Sequence, residues 1–196
     1  AEDQPRADER IPELLATPAA VRFVSAEPLL GPIHLEQAWH GEDALASECW
    51  GECRWCQIGH PPFHNCQRHQ QPESEWTKGR SGLDWVIVGG ESGPDARPMH
   101  PDWARQIRNA CIAAEVAFFF KQWGEWAPGE CGRAAPIKTE RTADWFNDQW
   151  TFSALTPSEI GELHVDDEPT LYRLGKRRAG RLLDGVEHNA MPEVRS

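Results

Sequence analysis

No stretch of the chain approaches the roughly 18 consecutive apolar residues that a membrane-spanning helix needs. The first residues lack the basic start, apolar core and small-residue cleavage site of an export signal. A helical span is excluded, and a cytoplasmic location is expected. Basic residues are scarce: 20 Lys and Arg stand against 31 Asp and Glu, a net charge of -11. Nucleic-acid binding by bulk electrostatics needs clustered Lys and Arg to neutralise phosphates, so the overall charge argues against it and leaves only a local basic patch. No internal repeat or low-complexity tract appears. Tyrosine occurs once against ten tryptophans. Cysteine occurs six times, four of them within ECWGECRWCQIGHPPFHNCQRH at 48–69, together with three histidines.

At 196 residues, with 39% hydrophobic and 26% charged residues, the chain fits one globular domain with appendages. Residues 5–16 carry helix formers interrupted by Pro12. VRFVSAEPLL at 21–30 reads as a buried strand halted by Glu27-Pro28, and LDWVIVGGESG at 83–93 as an apolar strand ending in a sharp Gly-Gly turn. Trp103, Ile107, Ala110, Cys111 and Ala114 share one helical face over 100–114, and VAFFFKQWG at 116–124 is a further apolar strand. Strand, helix and strand in this order make a βαβ unit with parallel strands. The expected class is α/β: a partial parallel (β/α) barrel-like sheet over 1–126, interrupted by a polar, Cys/His-rich insert at 31–82. Residues 127–196 follow as an irregular C-terminal extension, with a short strand at 150–152 and a basic segment at 172–181. That segment holds Arg173, Lys176, Arg177, Arg178 and Arg181.

Ligands of parallel α/β folds sit at the C-terminal ends of the strands, where loops vary while strands fix their roots. Those ends hold Ser25 and Glu27, then Glu91 and Ser92, then Lys121, Gln122 and Trp123. The carboxylates and the amine could bind a polar ligand or run acid/base chemistry. They could equally form an ion pair, Glu27 with Lys121, that closes the sheet end. Glu91 follows Gly89 and Gly90, which have no side chains and let the backbone approach a ligand.

The cysteine cluster reads two ways. Cys49, Cys53 and Cys56 have the Cys-x3-Cys-x2-Cys spacing by which radical S-adenosylmethionine enzymes hold a four-iron cluster, and Gly89-Gly90-Glu91 resembles their cofactor-binding GGE motif. Alternatively, Cys53-x2-Cys56 and Cys66-x2-His69 are two knuckles separated by nine residues. That is a spacing suited to tetrahedral zinc, with Cys49, His60 and His64 as substitute ligands. Four protein ligands leave no open position, so such a site is structural. The position inside a polar insert, with only two good strands following, favours zinc over iron-sulfur. Cys111 reads as core.

The blocks ADERIPELLATPAAVRFVSAEPLLGPI, LDWVIVGGESGPDARPMHPDWARQIRNAC, VAFFFKQWGEW and YRLGKRRAGRLLDG, with Pro192 after them, resemble the phage and prophage three-Cys-motif, radical-SAM-like proteins. The resemblance implies that this chain is the C-terminal half of a longer protein, whose own cysteine motif, iron-sulfur cluster and S-adenosylmethionine site lie in the missing N-terminal half. It also implies that 49–69 occupies the family's variable insert. Glu27, Glu91, Lys121 and Trp123 fall in the matching blocks, and no reaction comes with them. A rival expectation is a metal-stabilised binding module, with Trp50, Trp55 and Trp76 stacking on single-stranded nucleic acid or meeting a partner protein beside the basic segment.

Overall fold

The computed structural model describes residues 1–37, 44–45, 82–132, 140–155 and 170–193. The candidate ligands Cys49, Cys53, Cys56, His60, His64, Cys66 and His69, and with them Trp50, Trp55 and Trp76, lie outside the described residues.

Helix α1 (Gln4–Ala16) starts where the Asp3 carboxylate accepts the Arg6 N–H at 3.1 Å, which satisfies one of the donors a helix leaves open. Pro12 lies inside it and removes one intrahelical bond. Ala7, Ile11 and Leu15, spaced by four, are all buried and fix the helix to the core regardless. Strands β1 (Phe23–Ala26), β2 (Trp85–Gly89) and β3 (Ala117–Gln122) form a parallel sheet in the order β1-β2-β3. Helix α2 (Pro101–Ala113) joins β2 to β3, so the expected βαβ unit is present. The sheet is open, not a closed barrel.

One sheet face carries Val24, Ala26, Val86, Val88, Phe118 and Phe120, all buried in one core cluster with Trp103, Ala104, Ile107 and Cys111 of α2. The register Phe23–Trp85–Ala117 and Ser25–Ile87–Phe119 builds the opposite face. That face is only partly covered: Phe23 is 48% exposed, and Trp85, Ile87 and Phe119 are half-buried. Beyond β3 the sheet is bordered by residues 188–190, where the Phe120 N–H donates to His188 O and the Ala190 N–H to Phe118 O. Beyond β1 no strand pairs among the described residues.

Past the parallel sheet, the chain departs from the expected irregularity. Strands β4 (Trp126–Pro128), β5 (Glu140–Phe146), β6 (Gln149–Leu155) and β7 (Thr170–Arg173) make an antiparallel sheet in the order β4-β7-β5-β6, and the short helix α3 (Lys176–Ala179) follows. The expected strand at 150–152 lies within β6. Its partner β5 escaped notice because this sheet buries little: Trp126, Ala143 and Leu171 are its own core, β5 mixes charged and apolar residues without alternation, and the alternating Trp150, Phe152 and Ala154 of β6 stay half-buried or exposed. The turn at Asn147 and Asp148 has positive φ at both residues (48° and 58°), as a two-residue hairpin loop requires.

The insert boundary also shifts. Ile33, Leu35, Ala44 and Leu45 belong to the main core, and Ala44 N–H to Leu35 O (2.9 Å) and Leu83 N–H to Ala44 O (3.0 Å) tie them to the entry of β2. The segment expected to be wholly polar therefore adds apolar residues to the domain. No helix among the described residues is long and apolar enough to cross a membrane.

Candidate functional site at the end of the parallel sheet

Continuing the half-covered face by one residue per strand reaches Glu27, Gly89 and Lys121. Lys121 Nζ donates to Glu27 Oε2 at 3.1 Å, and Ser25 Oγ donates to the same oxygen at 3.1 Å. The pair bridges β1 and β3 across Gly89, where a Cβ would stand 2.3 Å from Glu27 Oε1. Glycine is needed here so that the carboxylate can lie over the central strand. With the Lys121 side chain 53% exposed, the ion pair contributes at most about 1 kcal/mol, so it positions charge more than it stabilises the fold. Glu27 and Lys121 thus meet as the sequence reading allowed.

Gly90 serves a different contact. Its N–H donates to Gln122 O at 2.9 Å, and a Cβ on it would fall 1.9 Å from the Trp123 carbonyl oxygen. The Glu125 N–H returns to Glu91 O at 2.9 Å beside Gly124, whose φ of +87° and lack of Cβ let the two loops touch. The Trp123 side chain points away from the rim. It is buried, packs against Phe120 and donates its indole N–H to Leu182 O at 2.8 Å.

Glu91 turns to a partner that sequence reasoning missed, Arg97. The guanidinium donates to both carboxylate oxygens (2.8 and 2.9 Å), and the Arg97 backbone N–H adds a third bond at 2.8 Å. These bonds hold the Glu91 carboxyl below its ordinary pKa. It is therefore an anchored, ionised acceptor and not a base poised near neutrality. The two are six positions apart in one loop, and no periodicity marks such a pairing.

A cavity of about 270 Å³ opens on this end, lined by Glu27, Glu91, Ser92, Lys121, Gln122 and Lys176 among others. Lys176 arrives from α3 and belongs to the segment read as a solvated basic run. The cavity brings two ammonium groups, a hydroxyl and an amide beside two carboxylates, Glu27 paired with Lys121 and Glu91 with Arg97, a set suited to a polar ligand. Within the rest of the basic segment, Arg173 donates to the carbonyls of Gly93 and Pro94, and Arg181 bonds Asn189 and lies over the Phe119 ring. Lys176, Arg177 and Arg178 are its exposed cations.

A Cβ on Gly89 or Gly90 would meet this chain's own atoms, Gly90 and Glu91 nonetheless line the cavity, and the Glu91 carboxylate accepts three bonds from Arg97. Among the described residues no group of three or more His, Cys, Asp or Glu is arranged to hold a metal ion. Cys111 is fully buried, as expected of core, and burial pushes its thiol up to about 12.

A family model matches residues 1–192, nearly the whole chain. The chain belongs to that family, described as protein of unknown function (DUF5131). The match spans both sheets, so the rim and the antiparallel module lie within the DUF5131 region. Comparison with curated proteins and with solved structures returns no match.

Proposed function

We propose that this chain is the C-terminal part of a longer, radical-SAM-like α/β protein of phage type, an enzyme when complete, and that the sheet end at Glu27, Lys121 and Lys176 is its substrate rim. The observation that carries this reading is the asymmetry of the parallel sheet. Its β3 edge is bordered by residues 188–190, whereas among the described residues no strand pairs beyond β1, where the Ala1 ammonium donates to Ser25 O at 2.9 Å, and the face at Phe23 and Trp85 is only partly covered. Parallel sheets are ordinarily covered on both faces, so more strands on the β1 side fit the pattern. An iron-sulfur cluster and S-adenosylmethionine belong, in this reading, to the N-terminal part, since Gly89, Gly90 and Glu91 are engaged within this chain. The Cys/His insert is a structural zinc knuckle, with Cys53, Cys56, Cys66 and His69 as ligands.

The test is reductive cleavage of S-adenosylmethionine by the longer protein, purified and reconstituted without oxygen. Cleavage with substrate-dependent turnover lost in Lys121→Ala supports the reading. A protein that binds no iron-sulfur cluster and leaves S-adenosylmethionine intact removes the enzyme.

A further inference from the structure

We propose that a second cleft, between the start of α2, the 30–34 loop and the β5–β6 turn, binds an organic cation of the N-alkylated ammonium class. Its volume is about 550 Å³, within the range of small-molecule sites. No residue lining it lines the sheet-end cavity.

The walls are aromatic and acidic. Trp103 and Trp145 meet at 5.3 Å between ring centroids and at 90°, forming a corner. His100 packs on both at 5.6 Å, and Trp150 backs Trp145 at 4.9 Å. Indole π-systems attract cations, and alkyl groups on nitrogen add apolar contact with the same surfaces. Asp102 and Asp148 supply the negative charge, and among the described residues no Lys or Arg lines the cleft. Arg105 bonds Asp102 at 2.8 Å but is shared with Asp184, so three carboxylates, Asp102, Asp148 and Asp184, stand against Arg105 and Arg108. The carboxylates work against an anionic ligand, and Asp102 in the first turn offsets the partial positive charge of the α2 N-terminus. A neutral one of the same shape gains no charge complement and desolvates the carboxylates for nothing.

His100 does not compete as a cation. Its Nδ1 accepts the Asp102 N–H at 3.1 Å, which leaves the neutral ring's proton on Nε2, and burial lowers its pKa. The acidic side of the cleft is set by the hairpin turn, which puts Asp148 opposite the first turn of α2.

The experiment titrates the ¹⁵N-labelled chain with choline chloride at constant ionic strength and follows the indole N–H resonances, with Trp145→Phe used for assignment. Saturable shifts at the Trp103 and Trp145 signals are expected. The probe 3,3-dimethyl-1-butanol, which has the same shape without the charge, should bind about tenfold more weakly. Trp145→Ala should abolish the shifts. Asp148→Asn, in a turn whose positive φ suits Asn, should weaken binding several-fold without touching the fold. Equal binding of the neutral isostere, shifts with adenosine but not choline, or no saturable shift overturns the proposal.

Discussion

Replacing Gly90 by Ala tests whether the Gly-Gly pair exists to join two loops of this chain. The new Cβ would stand 1.9 Å from the Trp123 carbonyl oxygen and 2.8 Å from its carbon. Both atoms are backbone, so relief requires the β2 and β3 loops to separate. Overpacking of this kind costs about 1–3 kcal/mol. The 2.9 Å bond from Gly90 N–H to Gln122 O is lost as well, for about 1 kcal/mol more. A total near 3 kcal/mol corresponds to a fall in Tm of about 6–12 °C for a domain of this size. Gly89→Ala is the comparison. Its Cβ would meet the Glu27 side chain, Oε1 at 2.3 Å and Cδ and Cγ at 3.1 Å, which can swing away at the cost of the Lys121 pair, about 1 kcal/mol. Urea unfolding followed by tryptophan fluorescence gives both numbers. If Gly90→Ala unfolds within about 0.5 kcal/mol of the parent, a change typical of neutral surface sites, the loops do not depend on this contact. The reasoning would then be wrong.

Further expectations are open to similar measurement. The Glu91 and Asp184 carboxyls both lie below their ordinary pKa because arginines bond them, so their contribution is complete above about pH 4.5 and is lost as pH falls through the folded values. Glu91→Gln combined with Asp184→Asn should flatten the acid limb of a stability–pH curve and cost about 1–2 kcal/mol at pH 7, after allowance for solvent screening. An unchanged acid limb would contradict the pairing. His100 and His188 are both lowered by burial, so the unfolded chain takes up protons first and stability should decline as pH drops below 6.5. His100→Asn, whose amide oxygen can still cap α2, should remove part of that slope. Cys111 should resist iodoacetamide in the folded chain and react only after denaturation, read by peptide mass spectrometry.

The parallel module was legible because its signals are local. Short apolar runs gave β1, β2 and β3, and the Trp103, Ile107, Cys111 spacing gave the buried face of α2. The strand-end rule brought Glu27 and Lys121 to one place without any pairing information. The antiparallel sheet was only partly legible: the alternating Trp150, Phe152 and Ala154 mark β6, while β5 mixes charged and apolar residues and the two strands bury few side chains. The partner of Glu91 was not legible for a related reason. The neighbours of Glu91 suggested room for a ligand, while the groups that meet them are Trp123 O from the loop after β3 and the Arg97 guanidinium from further along the same loop as Glu91. Lys176 reaches the rim only through the fold of 170–179, and as sequence it is one cation in a run.

The central claim is that catalysis belongs to the longer protein and that the cysteines of this chain are scaffolding. Elemental analysis with a visible absorption spectrum, made without oxygen on this chain and on the longer protein, tests it most directly. The account predicts one zinc and no visible band for this chain, and iron with sulfide and a brown colour for the longer protein. Iron and sulfide bound to this chain alone, lost when Cys49, Cys53 and Cys56 are replaced by Ala, would contradict it.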